Sequence, residues 1–178
     1  KESLFKSLFE SAPDSIKTML SIQYRMHPDI MMAINQFYED RLECGLENPN
    51  LDRAHHLGSS VIQDNRHIAW VKIPKSPEFR EQKIGTSFTN LQEVEAIEYL
   101  CQQFEQTWVS QVDRGQPRKE VGIITFYGSQ LRLIEQKINP ARFPSLHIRT
   151  GTVDRFQGME KQIIIVSMVR NNDRGDIG

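Results

Sequence analysis

Four short clusters in this sequence carry side chains able to recognise a nucleotide or a phosphate. They are Tyr24-Arg25-Met26-His27, Tyr127-Gly128-Ser129-Gln130, the run from Asp154 to Glu160, and Arg170-Asn171. A guanidinium offers five donors in a rigid fork that matches phosphate, so Arg25 and Arg170 can each grip an anion. Tyr24 can stack on a base, and Glu160 can accept hydrogen bonds from ribose hydroxyls. Gln157-Gly158 marks a tight backbone turn where a ligand or partner comes close. Together these groups suit a nucleotide contacted from one side only.

The complementary half of a nucleotide site is missing from the sequence. There is no G-x-x-x-x-G-K-[ST] string, and no glycine is followed by lysine. No strand ends in a pair of acids for Mg²⁺. Without a phosphate cradle, this chain is not expected to hold ATP by itself. Cys44 and Cys101 match no metal spacing, and the histidines His55, His56 and His67 have no cysteine or carboxylate pattern to support a metal site.

The clusters need elements to position them. Residues 2–10 put Leu4, Phe5, Leu8 and Phe9 on one helical face, ended by Pro13-Asp14. Residues 17–24 read as a short strand. Pro28 opens a helix over 29–39 with Ile30, Ile34 and Phe37 inward. Residues 41–66 read as a loop or insertion. The alternating HIAWVKI at 67–73 reads as a strand. Asn90 with Glu93 resembles a capping box for a helix running to about Val109. After the polar DRGQPRKE come a strand at 121–126, a helix at 128–138, a strand at 146–153, and IIIVSMV at 163–169, the most apolar strand signal in the chain. Strands alternate with helices and two strands are solidly apolar, which predicts an α/β fold with a parallel sheet covered on both faces. In such sheets ligands bind beyond the carboxyl ends of the strands, where all four clusters fall.

Bulk properties agree. A chain of 178 residues can bury roughly 70% of its unfolded surface. A hydrophobic content of 38% and a charged content of 25% are those of an ordinary globular domain. A net charge of -1 argues against a histone-like electrostatic binder, while leaving room for a local basic groove. No apolar run reaches the ~20 residues of a membrane helix, so no membrane partner is expected. Two distant cysteines fit a reducing compartment, cytoplasmic or, in a eukaryote, nuclear. Residue 1 is not Met and the chain stops just after a strand, so the sequence reads as a fragment of a longer protein, monomeric by itself.

Three strings, LSIQYRMHP, VGIITFYGSQ and GTVDRFQGMEKQIIIVSMVRNN, resemble motifs of superfamily 1 helicases. The match is closest to the branch containing the nonsense-mediated-decay RNA helicase, senataxin and the immunoglobulin mu-binding helicase. It spans residues 18–172, in the family's order, within the second RecA-like domain. The resemblance implies a RecA-like three-layer sandwich with a mainly parallel sheet and no phosphate loop of its own. It implies an ATP-dependent helicase or translocase whose other, N-terminal RecA-like lobe holds most of the ATP and Mg²⁺, with the isolated fragment inactive.

Residue roles follow from the same resemblance. Arg25 matches the arginine that reaches the γ-phosphate, Tyr24 the aromatic on the base, and Glu160 the ribose contact, with Gln157 and Gly158 in the same motif. Thr125 and Tyr127 match a segment touching the nucleic-acid backbone, and Thr152, Val153 and Asp154 a contact to a phosphate of the single strand, DNA or RNA. The family has Pro where Phe126 stands. A second phosphate-contacting arginine belongs beyond the last residue here, so Arg170 is left to line the cleft or to bridge to a carboxylate.

Simpler roles compete at several positions. His27 reads as a structural hydrogen-bonding residue before Pro28. Trp70, Trp108 and the remaining Phe residues read as core, Met31-Met32 as helix packing, and Asn90 and Glu93 as structural. Glu160-Lys161 can equally be a solvated pair. For the whole chain, the competing function is a non-catalytic scaffold of a degenerate helicase.

Overall fold

Alternating apolar and β-branched runs build a central parallel sheet in the computed structural model, which describes residues 4–59, 61–173 and 175. Of Phe5, Lys6 and Asp14 it describes the backbone only, so Phe5's place on the first helical face lies outside the described side chains. The chain divides into two compact units, residues 1–54 with 65–68, and residues 55–64 with 69–178.

In the first unit, α1 (Leu4–Ser11) presents Leu4, Leu8 and Phe9 to solvent. The strand expected over 17–24 shortens to β1 (Ile22–Gln23). The stretch expected to be a loop contributes β2 (Glu43–Cys44), which pairs parallel to β1, and the one-turn α3 (Pro49–Asp52). Between them α2 runs from Pro28 to Asn35 and tightens into a 3₁₀ turn over Gln36–Tyr38. That early tightening corrects the expected inward face. Met31 is the buried residue of α2, while Ile30 is 37% and Phe37 79% exposed. Asn35 pins the return of the chain, its Oδ1 accepting from Leu42 N–H at 2.8 Å.

The second unit begins with the antiparallel hairpin β3 (Gln82–Ile84) and β4 (Ser87–Thr89). The long α4 (Leu91–Asp113) follows, then β5 (Lys119–Thr125), α5 (Gly128–Lys137), β6 (Leu146–Thr152), α6 (Val153–Phe156) and β7 (Ile163–Ser167). The strands β5, β6 and β7 form a parallel sheet in the order β6-β5-β7. Val121 and Ile123 of β5 join Val94, Ile97, Phe104 and Trp108 of α4 and Ile134 of α5 in one buried cluster. Burying each such side chain contributes about 1.5–3 kcal/mol, which makes this packing the main stabilising term.

The other face of the sheet is covered in part. Phe156 lies on it, in a slot between Gly122 and Gly151 of adjacent strands. A Cβ at either glycine would meet the Phe156 ring at 2.7 or 2.8 Å. Ile164 and Val166 of β7 are close to half exposed and Ile163 and Ile165 only partly buried, so the strand expected to be the most buried packs on one side only. Residues 67–73 form no strand, and Trp70 is 79% exposed rather than core. Trp108 is core, with Lys119 Nζ 3.7 Å from its ring centroid. Burial pushes the Lys119 ammonium below its usual pKa, and the ring face supplies the compensating attraction.

Candidate functional site

The turn carrying Tyr24 and Arg25 is fixed by its neighbours. Gln23 Oε1 accepts from the N–H groups of Arg25 and Met26 at 3.0 and 2.8 Å, and its Nε2 donates to Met26 C=O at 3.0 Å. One side-chain amide thus replaces a strand partner for three backbone groups. From α3's end, Arg53 donates through Nε to Arg25 C=O at 2.7 Å and through Nη2 to Tyr24 C=O at 2.6 Å. His27 caps α2, its Nδ1 accepting from Asp29 N–H at 3.2 Å. That bond leaves Nε2 to donate to Asn50 Oδ1 at 2.9 Å. The ring stacks on His67 at 3.6 Å and is buried, so His27 is structural, as its type and place before Pro28 suggest. Gly45 leaves room for Tyr24, since a Cβ there would lie 2.4 Å from the ring. On this scaffold Tyr24 is 63% exposed, and Arg25 is exposed too.

In the second unit, β6 ends in α6 and the turn beyond it. Thr152 is half-buried at the α6 N-cap, and Val153 and Asp154 are exposed. Phe156, seated in its glycine slot, anchors the turn. Gln157 N–H reaches Asp154 C=O at 3.4 Å and Met159 N–H reaches Phe156 C=O at 3.0 Å. Gly158 has φ +79°, a conformation that favours glycine. Gln157, Gly158 and Glu160 are exposed. Lys161 does not pair with Glu160. It bonds Glu120, which also meets His147 Nδ1 at 2.5 Å. The Lys161 and His147 hydrogen bonds hold the Glu120 carboxyl below its usual range.

At the end of β5, Thr125 is fully buried and its Oγ1 accepts from Tyr127 N–H at 3.5 Å. Phe126, standing where the resemblance has Pro, is 56% exposed. Gln130, one turn into α5, is fully buried. Its Oε1 accepts from Asn90 N–H at 2.8 Å, and its Nε2 donates to Asn90 C=O and to Ser167 Oγ, both at 3.0 Å.

This amide belongs to a lock around the end of β7. Asn90 caps α4 as expected, accepting from Glu93 N–H at 3.2 Å. Glu93, however, does not close the capping box. Its carboxylate accepts from Ser167 Oγ–H at 2.6 Å and from Val169 N–H at 2.9 and 3.0 Å. Asn90 Nδ2 donates to Val169 C=O at 3.2 Å. Val169, a buried β-branched residue, stands at φ +70°. With Arg170 N–H on Met168 C=O at 2.8 Å it forms a positive-φ γ-turn, a rare and strained form costing about 1–3 kcal/mol.

The turn precedes Arg170, whose side chain is only 12% exposed. Its Nε donates to Glu81 Oε1 at 3.2 Å, its Nη1 reaches Tyr127 Oη at 3.5 Å, and its Cζ lies 4.4 Å from the Phe88 ring centroid. Phe88 meets Tyr127 edge to face at 5.7 Å. Glu81 also accepts from Asn171 N–H at 2.8 Å and Asn172 Nδ2 at 3.0 Å. Burial alone would raise the Glu81 pKa, but these bonds together hold it below its usual value. Arg170 therefore bridges to a carboxylate, one of its two expected roles. Sequence reasoning missed Gln23, Arg53, Glu81 and Phe88. Only Gln23 carried a signal, as part of the QYRMHP string.

Tyr24 and Arg25 thus stand in the first unit, and Thr125, Tyr127, Thr152, Val153, Asp154, Gln157, Gly158 and Glu160 in the second. Among the described residues, no three His, Cys, Asp or Glu side chains gather to hold a metal ion, and no helix is long and apolar enough to cross a membrane.

The whole chain, residues 1–178, matches a family described as an AAA domain. It is 32% identical over 193 residues to the DNA replication ATP-dependent helicase/nuclease of Saccharomyces cerevisiae, covering 98% of this chain and 12% of the relative. Against the Homo sapiens protein of that name the identity is 29% over 198 residues, 99% of this chain and 18% of the relative. The DNA polymerase alpha-associated DNA helicase A of Schizosaccharomyces pombe is 27% identical over 190 residues, 99% of this chain and 26% of the relative. The chain therefore spans between about an eighth and a quarter of the length of these relatives.

Proposed function

This chain belongs to the AAA domain family, the C-terminal helicase region of superfamily 1 helicases, and from that premise we propose that it is the second motor lobe of an ATP-driven helicase or translocase. Arg25 stabilises charge developing on the γ-phosphoryl group of ATP, and Tyr24 stacks on the base. Glu160 contacts the ribose, with Gln157 and Gly158 in the same nucleotide-binding motif. Tyr127, Thr152, Val153 and Asp154 contact the backbone of single-stranded DNA or RNA, with enclosed Thr125 holding the Tyr127 amide. The N-terminal lobe carries the phosphate loop, and Mg²⁺, when bound there, neutralises phosphate charge. Closing of the lobes on ATP and reopening after hydrolysis moves the strand.

The observation that best supports this reading is the contrast within LSIQYRMHP. Three side chains, from Gln23, His27 and Arg53, immobilise the backbone there, while Tyr24 and Arg25 are both exposed. Pre-organised donors aimed at developing charge are what phosphoryl transfer needs. The reading is tested by ATP hydrolysis in the full-length protein, with and without single-stranded DNA or RNA, beside Arg25→Ala. Strand-stimulated turnover that collapses in the variant while ATP still binds is expected. No turnover in the unmodified protein with any strand would favour a scaffold. Turnover indifferent to the substitution would remove Arg25 from the site.

A further inference from the structure

The assigned roles leave Arg170 unused, although its side chain is held from three sides. Its Nε is committed to Glu81, its face to Phe88 and its Nη1 to the Tyr127 hydroxyl. An arginine side chain so enclosed, at 12% exposure, is poorly placed to take a phosphate, because leaving its seat would take the counter-charge from the Glu81 carboxylate, whose side chain is 8% exposed. Its free geometry is also limited from behind. The Val169 turn, pinned by Glu93 and Asn90, sets the direction in which Arg170 leaves the strand. What this arrangement fixes at its outer end is Tyr127, gripped at the hydroxyl by Arg170 and at the ring by the edge-to-face contact with Phe88.

We propose that Arg170 is a positioning residue for nucleic-acid contact: through the Tyr127 hydroxyl and the Phe88 ring it holds Tyr127 in the orientation that meets the single strand. This rests on the reading of Tyr127 as a strand contact. An ordered ring gives up less conformational freedom on binding, so the gain appears as strand affinity. The Glu81 carboxylate is the counter-charge that holds the guanidinium beside Phe88.

The test uses the full-length protein and labelled oligothymidylate and oligouridylate, with affinities measured across a salt series. Tyr127→Ala should weaken binding about tenfold, the usual scale for losing one aromatic contact to a strand. Arg170→Gln and Tyr127→Phe should each weaken it by about three- to fivefold. Their combination should be no weaker than the worse of the two, because both cut the same link. The slope of affinity against salt should match the unmodified protein. Additive losses, or an Arg170→Gln variant with full affinity, would overturn the proposal while leaving Tyr127 a contact. A salt slope shallower by about 0.7 in Arg170→Gln would make Arg170 a phosphate ligand instead and also overturn it. Full affinity in Tyr127→Ala would sink the reading of Tyr127 and this inference with it. Should Arg170→Gln fail to fold, Phe88→Leu combined with Tyr127→Phe runs the same cycle through the other grip.

Discussion

Two arginines in this protein stand just past strand ends, and they are held in opposite ways. Around Arg25 it is the backbone that is fixed. Gln23 takes its N–H, Arg53 takes its C=O, and the residue is exposed. Around Arg170 it is the side chain itself that is fixed, between Glu81 and Phe88, behind a strained turn. A rigid mount under an exposed guanidinium suits a group that must meet a ligand arriving from elsewhere. A guanidinium already consumed by its neighbours suits a group that arranges those neighbours. Residue type is the same in both places, so local bonding decides the role.

The comparison breaks most sharply at Arg25. Arg25→Ala is expected to lower strand-stimulated ATP turnover of the full-length protein by about 10³-fold or more, the scale for losing an arginine from a phosphoryl-transfer site. A loss of tenfold or less in steady-state assays would put Arg25 on the same footing as Arg170. Next comes the lock behind Arg170. Gln130→Leu leaves Asn90 N–H without its acceptor, and Asn90 C=O and the Ser167 Oγ lone pair without their donor. It should destabilise the second unit by about 2–4 kcal/mol, read from hydrogen exchange of the β5 amides. Gly122→Ala drives a methyl group into Phe156 and Ile164 and should cost about 1–3 kcal/mol, with raised exchange at residues 157–160. The smallest effect concerns pH. Glu81 has its carboxyl pKa lowered in the folded protein, so its stabilising share is present above the unfolded carboxylate pKa, about 4.3, and is lost as pH falls through the folded value. Denaturation of Glu81→Gln below pH about 4 should therefore be less acid-sensitive than that of the unmodified protein.

Much of the second unit was legible because its signals are local. The β-branched run at β5 and the periodic helices flanking it need no distant partner to be read. Signals that need a distant partner were harder. HIAWVKI alternates like a strand, yet a strand also needs a neighbour, and none pairs with it, so Trp70 stays outside. Asn90 and Glu93 carry a capping box, but only Asn90 caps, because Ser167 and Val169 arrive from the far end of the unit and claim the Glu93 carboxylate. Tyr24 and Arg25 could be picked out by type. The bracing by Arg53 could not, since nothing in a loop arginine announces two backbone carbonyls as its target.

The γ-turn at Val169 has a consequence for the order in which the chain folds. Its strain is tolerated only while Asn90, Glu93, Gln130 and Ser167 are all in place, and these come from α4, α5 and β7. Such a set of distant groups cannot assemble before the sheet and both helices have docked. The turn is therefore expected to form late, on the native side of the folding barrier. A substitution that loosens it, such as Glu93→Gln, should hasten unfolding and leave the folding rate almost untouched.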